Sequence, residues 1–380
     1  MKKPIRIIVV LVLFFCVVAQ NAKAQSDEIL FRKHLVVSGW NGLLYGSAFD
    51  YIFGIDGAAA AGLPLISAGA CVLVPLITNS SKTITSNQLM LSSHGQTIGW
   101  VHGFSLAAVI NGNDMFDNKG KSKLSVGLGM ASSIGLGILG NSLAKSKTDW
   151  SEGRVALYRH YGWTSSLTGF CVSAAFSDKA RFWGAADLVF GAGGYLLADK
   201  VNQMHEFTRG EIRSAQALST LNGALGLCIF ADTQTDNELD NFNRKGWLIP
   251  AAGMWVGTLA GQAWLKNSNL TTSQGMTTWY AMAGGLIIGG GIDLIMKSDN
   301  FTANYLIPYG TGLAAYSVAV IKLKKDNSAH SYLNTRDDRG WNFTFMPQNV
   351  FLNRKIENNG YQLNGLQVGM QPLFSANLTF

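Results

Sequence analysis

Ser93-His94-Gly95-Gln96-Thr97-Ile98-Gly99-Trp100-Val101-His102-Gly103 carries glycines at four-residue steps, and the same step returns in Gly253, Gly257 and Gly261. On a helix this spacing lines the glycines along one face, where a second backbone can come close. An interior helical glycine costs about 1 kcal/mol relative to alanine in water. A run of them is therefore expected where tight helix packing returns that energy. Gly42/Gly46 and Gly285/Gly289 are shorter instances. The composition agrees: 43 of 380 residues are glycine, 48% are hydrophobic and only 14% are charged. High apolar content with low charge excludes a disordered chain. The absence of a Gly-X-Y period excludes collagen. Four cysteines in this length do not make a disulfide scaffold.

Working outward from these glycines, the body repeats a theme. A polar starter opens an apolar segment, a polar turn follows, and a second apolar segment ends in a Lys- or Asn-rich stretch. First helices are expected from about Ile29, Thr85, Ser151, Thr208 and Thr272, and second helices to end near Asn79, Lys145, Lys200, Lys266 and Lys324. The starts alternate between roughly 57 and roughly 65 residues apart, the mark of a tandem repeat. The fold class expected is mainly α: about ten glycine-rich helices in five tandem hairpin repeats, with a short C-terminal β segment. Thr208 followed three residues later by Glu211 fits a capping box. The basic run Lys322-Leu323-Lys324-Lys325 is expected to close the last helix, where cations suit the negative end of the helix dipole.

The ends of the chain read differently. Residues 1–24 combine Lys2, Lys3 and Arg6, an apolar run from Ile7 to Ala19, and an Ala22-Lys23-Ala24 ending. These are the three parts of a secretory signal peptide. The apolar run is shorter than the roughly 20 residues a membrane span needs. This segment holds four cations and no acid, so the formal charge of +7 falls to +3 without it. Cys71, Cys171 and Cys228 remain, in apolar helical segments, where buried thiols are expected rather than bridges. The expected organisation is 1–24 signal peptide, 25–325 helical hairpin-repeat domain and 326–380 β tail. In that tail Trp341, Phe343 and Phe345 alternate with polar residues, as do Phe374, Ala376, Leu378 and Phe380. Asn358-Asn359-Gly360 has the composition of a hairpin turn. The last ten residues, with an aromatic terminus, resemble the terminal strand of bacterial outer-membrane barrel proteins. That resemblance implies recognition by barrel-assembly machinery. Elsewhere the chain has continuous apolar runs, not barrel alternation.

Gly57 to Ile77, Leu124 to Leu143 and Met276 to Ile292 are uncharged stretches of a length that suits spans, whereas mean hydropathy over the chain is only +0.16. Trp40, Trp100, Trp163 and Trp279 recur in four first helices, either as interfacial belts or as packing residues.

No catalytic or nucleotide-binding motif is present: no H-E-x-x-H, G-x-S-x-G, Walker loop or C-x-x-C. The candidate polar sites are Asp50, Asp187 and Asp293, each interrupting an apolar run, together with His94 and His102. An ionisable residue within a span is a functional candidate by default. Asp50 and Asp293 fall late in their helices, where a helix end facing water is the ordinary alternative. His94 and His102 are eight residues apart, about 12 Å of helical rise, and cannot share a metal by themselves. Arg154, Arg159, Glu211 and Arg213, near helix starts, are placed to pair across neighbouring hairpins. No cofactor, metal or nucleic acid is expected. The expected partners are membrane lipid and an envelope protein met through the β tail. The expected role is non-enzymatic, structural or transport-related, after export to the outer membrane or periplasm of a Gram-negative bacterium. The alternatives are a soluble secreted helical-repeat binding module, or an envelope enzyme built from His94, His102 or His160 with one of the three aspartates.

Overall fold

In the computed structural model, residues 27–78, 84–235, 244–296 and 301–332 are described, with 340–345, 362–363, 366–367 and 374–379 near the C-terminus. The proposed signal peptide lies outside the described residues. Among the described residues are ten α-helices: α1 Asp27–Phe53, α2 Ala58–Thr78, α3 Ser86–Asn111, α4 Lys119–Ser146, α5 Glu152–Phe176, α6 Ala180–Met204, α7 Arg209–Thr235, α8 Leu248–Leu265, α9 Thr272–Met296 and α10 Phe301–Tyr332.

Side-chain caps set several helix starts. Thr85 and Gln88 bond each other's backbone N–H groups at the start of α3. Thr208 and Glu211 do the same at α7, and Thr271 and Gln274 at α9. Ser151 caps α5 by accepting from Arg154 N–H. Each cap satisfies first-turn donors that the helix itself leaves unpaired. Gly54 and Gly57, at φ +67° and +68°, turn the chain between α1 and α2, a conformation other residues adopt at a cost.

Consecutive helices pair as hairpins, α1 with α2, α3 with α4, α5 with α6 and α7 with α8. In α9 and α10, Gly285 meets Thr311 and Gly312. Glycine sets the contact in each. A Cβ on Gly95, Gly99 or Gly103 would stand 2.1, 2.6 or 2.4 Å from the carbonyl oxygen of Leu136, Ser132 or Leu128 on α4. On α8, Gly253 and Gly257 meet the carbonyls of Asn222 and Leu218, and Gly261 meets Ala215 Cα.

One crossing recurs in all five hairpins. Gly46 lies against Pro64, Gly103 against Leu128 and Gly129, Gly169 against Ala186, Gly226 against Pro250, and Gly289 against Pro308. In every case a Cβ on that glycine would come within 2.6 Å of a partner backbone atom. These five glycines are 57, 66, 57 and 63 residues apart, the repeat period.

Neighbouring hairpins stack mainly through the first helices and their near partners: α3 on α6, α5 on α7 and α8, α7 on α9, and α1 on α4. The starter ends meet at one end of this unit, where Asn87 donates to Trp150 O and Thr208 to Leu270 O. The turns meet at the other end, where Asn113 bonds both Asp178 O and Ala180 N–H.

Two boundaries differ from expectation. α6 continues to Met204, past Lys200, and α10 runs through the lysine cluster to Tyr332. No glycine or proline follows Lys325 until Gly340, and the Asn327 amide donates to Ser268 O and Gln274 Oε1, tying that turn to the α8–α9 connection. A second unit comprises Ser328–Phe380. The β tail falls largely on residues outside the described set, including the Asn358–Gly360 turn and Phe380. The expected β segment is not shown there; among the described residues of the tail are only local antiparallel pairings, Gly340–Phe345 with Phe374–Thr379 and Gln362–Leu363 with Leu366–Gln367.

The glycine contact between α3 and α4 predicts opposite outcomes for two alanines. Gly99→Ala should destabilise the purified protein by about 1–3 kcal/mol through overpacking. Gly135→Ala, with nothing within 4 Å of its Cβ, should be neutral or stabilising by up to about 1 kcal/mol. Thermal melting followed by circular dichroism reads both, and equal shifts would contradict the glycine contact.

Candidate functional site

α6 presents one face of small residues, Gly184, Gly191, Gly194 and Ala198, with Asp187 among them, all buried. A Cβ on Gly184 would strike Ser105 O of α3, and one on Gly191 would strike the His102 ring. Gly194 faces Tyr161 O and the Ser165 side chain of α5. The same small face thus draws α3 and α5 onto α6 and encloses Asp187 where the three helices meet.

There the carboxylate has two partners. His102 Nδ1 is 2.8 Å from Asp187 Oδ2, and the Ser166 hydroxyl donates to Oδ1. Asp187 and Ser166 are fully buried, and the His102 side chain is 13% exposed. Eight residues along each helix a second rung forms, with His94 Nε2 2.8 Å from the Tyr195 hydroxyl. The eight-residue step from His94 to His102 on α3 is matched in reverse by that from Asp187 to Tyr195 on α6. Two of the sequence candidates, His102 and Asp187, are therefore brought together, while His94 belongs to the neighbouring rung.

A further polar layer joins α5, α7 and α8. His160 Nε2 is 3.0 Å from Thr258 Oγ1, Thr258 donates to Ser219 Oγ, and Ser219 donates to Met254 O. Tyr161 donates to Gln262 Oε1.

The remaining candidates are elsewhere. Asp50 does not face water: it is 8% exposed, and its Oδ1 has no partner among the described residues. Its main-chain carbonyl still closes α1, accepting from Gly54 and Ile55 N–H. The side chain is enclosed because α4 packs on this turn, with Tyr51 bonded to the Ser122 hydroxyl. Asp293 is half-buried near the end of α9.

Of the starter-end charges, Arg154 pairs with Asp199 inside its own hairpin at 2.8 Å. Glu211 serves Thr208 N–H, Asn269 N–H and the Ser268 hydroxyl instead of a cation. The cross-hairpin ion pair is Arg209 with Glu152 at 2.8 Å. Trp40 and Trp100 sit mid-helix, away from the ends where a belt would lie. Trp279 donates to Arg213 O.

At the turn end, a mainly apolar cleft of about 450 Å³ is lined by Phe170, Cys171, Trp183, Trp247, Asp178 and Arg244. Asp178 is held below the ordinary carboxylate range by its own backbone N–H and then by Arg244. Asp114 is held low by its bond to Lys121.

Chemically, Asp187 is the acceptor for both its neighbours. In a nucleophilic triad the hydroxyl bonds the imidazole, which in turn is oriented by the carboxylate. Here Ser166 bonds the carboxylate directly, so the arrangement is a polar clamp between three helices. No group of three His, Cys, Asp or Glu side chains placed to hold a metal occurs among the described residues. Sequence reading missed Ser166 and Tyr195, which carry no motif; only the register of α6 on α3 and α5 reveals them.

Asp187→Leu should strand two buried partners, at about 1–3 kcal/mol for each group left unsatisfied. Removal of the exposed Asp114–Lys121 pair by Asp114→Ala should leave the melting midpoint essentially unchanged, because water screens the pair. Melting midpoints of the two variants compare these, and an unchanged Asp187→Leu midpoint would show the clamp to be dispensable. No protein-family model, curated protein or solved structure matches this chain.

Proposed function

We propose that the helical body is the membrane-embedded domain of an exported envelope protein with a structural or transport-related, non-enzymatic role. The carrying observation is the placement of polarity. Ile77, Leu294 and Ile295 are 78%, 79% and 82% exposed, alongside Leu196, Val189, Ile287 and Val318, while Ser125, Ser133, Ser166, Ser173, Thr258, Thr278 and Asp187 are fully buried. Apolar residues such as Ile98, Leu157, Ile212 and Leu265 are buried as well, but water would also reward covering the exposed ones, by about 25 cal/mol per Å² of apolar surface removed from it. Extensive exposed apolar surface marks contact with lipid or with another protein.

Among the described residues, five helices are long and apolar enough to cross a membrane: Ala58–Ile77, Lys119–Ser146, Arg209–Thr233, Thr272–Met296 and Asn304–Asn327. No residue of the Ala58–Ile77 window is buried. A 25-residue helix is roughly 37 Å long, enough for the roughly 30 Å hydrocarbon core. The hydroxyls bonded inside the bundle are the kind of interhelical contact that lipid favours.

The N-terminal signal composition supports export. Weakly apolar spans are suited to export because they escape arrest in the inner membrane. We place the protein at the outer membrane, with the C-terminal tail as the segment that meets an envelope partner.

The protein should remain with membranes after a carbonate wash and enter solution with detergent, and its mature N-terminus should be Gln25. Recovery from soluble periplasm without detergent would overturn the membrane reading in favour of a soluble helical-repeat module.

A further inference from the structure

The starter end of the bundle gathers more positive charge than it neutralises. Arg209 and Arg213 of α7 and Arg159 of α5 lie within Coulombic reach of one another, and Lys33 of α1 lies within reach of Arg209 and Arg213. The carboxylate facing them is Glu152, bonded to Arg209 Nη1, which also donates to Ser86 Oγ. Two other acids at this end are engaged elsewhere: Asp199 holds Arg154, and Glu211 is occupied by two backbone N–H groups and Ser268. Arg154 itself turns aside, its guanidinium 4.4 Å from the centre of the Trp150 ring.

Arg159 is the decisive residue. Its Nε is enclosed and has no hydrogen-bond partner among the described residues. Arg209 Nε is likewise enclosed without a partner. An enclosed cation without a counter-charge is costly, and three like charges add mutual repulsion. Guanidinium groups satisfy such a site best with a planar or tetrahedral oxyanion bound through paired N–H donors. All four cations are half-buried, so the cluster borders accessible space.

We propose that Arg159, Arg209, Arg213 and Lys33 form a binding site for a phosphate-bearing anion, held between α1, α5 and α7 at the starter end of the bundle. The shared chemistry is a phosphate group, whether free or carried by a phospholipid headgroup. The site stands on the cluster alone and does not require that lipid surround the helices.

The test uses full-length protein purified in detergent. Inorganic phosphate is titrated at constant ionic strength set with sodium chloride, and binding is followed by calorimetry and by the melting midpoint. In a second arm, phosphatidylglycerol in mixed micelles is titrated, and organic phosphorus carried through purification is measured. Wild type should bind in at least one arm. Response to inorganic phosphate assigns a free anion, and response only to the phospholipid assigns a headgroup.

Arg159→Gln should weaken binding by about tenfold or more, the size of losing one charge-assisted contact. It should also melt no lower than wild type in phosphate-free buffer, because it relieves repulsion. Arg213→Gln should behave alike, guarding against one variant that fails to fold. Absence of binding in both arms with no retained phosphorus would overturn the site, as would unchanged affinity in both variants. Neither outcome bears on membrane extraction, so failure here is distinguishable from failure of the membrane reading.

Discussion

The close approach of two backbones at glycines in every hairpin is the constraint from which the rest follows. At Gly46, Gly103, Gly169, Gly226 and Gly289 a methyl group would already overlap the partner chain. In three hairpins the atom it would overlap is a proline Cα, at Pro64, Pro250 or Pro308. Pro64 and Pro308, inside their helices, interrupt the ladder by removing a donor, whereas Pro250 stands in the first turn of α8; at each, the glycine opposite lets the partner approach at that point. Such proximity brings hydroxyls within reach of the opposing main chain. Ser133 donates to Gln96 O, Ser219 to Met254 O and Thr311 to Gly285 O. Small residues and hydroxyl-to-carbonyl bonds thus join the helices beside apolar clusters such as Val155, Leu157, Tyr161 and Ile212, while many further large apolar side chains face outward.

That division explains how a chain with a mean hydropathy of only +0.16 can present an apolar exterior. Glycine, serine and threonine dilute the average but occupy the interior, so hydropathy summed along a helix understates the face turned outward. In Arg209–Thr233, Ser214, Ala215, Ala217 and Ser219 are buried together with Ile212, Leu218 and Leu221, while Leu227 is exposed.

Much of this architecture was legible in the sequence, because the period-four glycines and the starter caps are local signals. Gly95, Gly99 and Gly103 announce a contact face, and Thr208 with Glu211 announces a helix start. The five crossing glycines were harder to see as a set. Gly169 and Gly226 stand without four-residue companions, and only their common position opposite a partner backbone relates them to Gly46. The polar rungs depend on register between helices distant in sequence. Asp187 and His102 are 85 residues apart, and the step of eight shared by α3 and α6 has meaning only once the two run antiparallel. The end of α10 was misjudged for another reason. A basic last turn is favourable at a helix terminus but does not terminate a helix, and Asn327 found partners that carry it onward. Asp50 was misplaced because helix position predicts exposure only when nothing packs on the turn.

The two kinds of buried polar group in this body differ in a way that bears on function. Around Asp187 the bonding is matched: one carboxylate meets an imidazole and a hydroxyl, and each partner comes from a different helix. A matched group is explained by the fold that encloses it, since removing any member leaves the others unpaired. At the starter end Arg159 Nε has no such closure among the described residues, and the cap chemistry that could have supplied carboxylates has spent Glu211 on backbone donors. Packing does not require a cation there; an alkyl or amide side chain would fill the position without repulsion from Arg209. The fold accounts for Asp187 completely and for this arginine incompletely, and the missing part has the charge and geometry of an oxyanion.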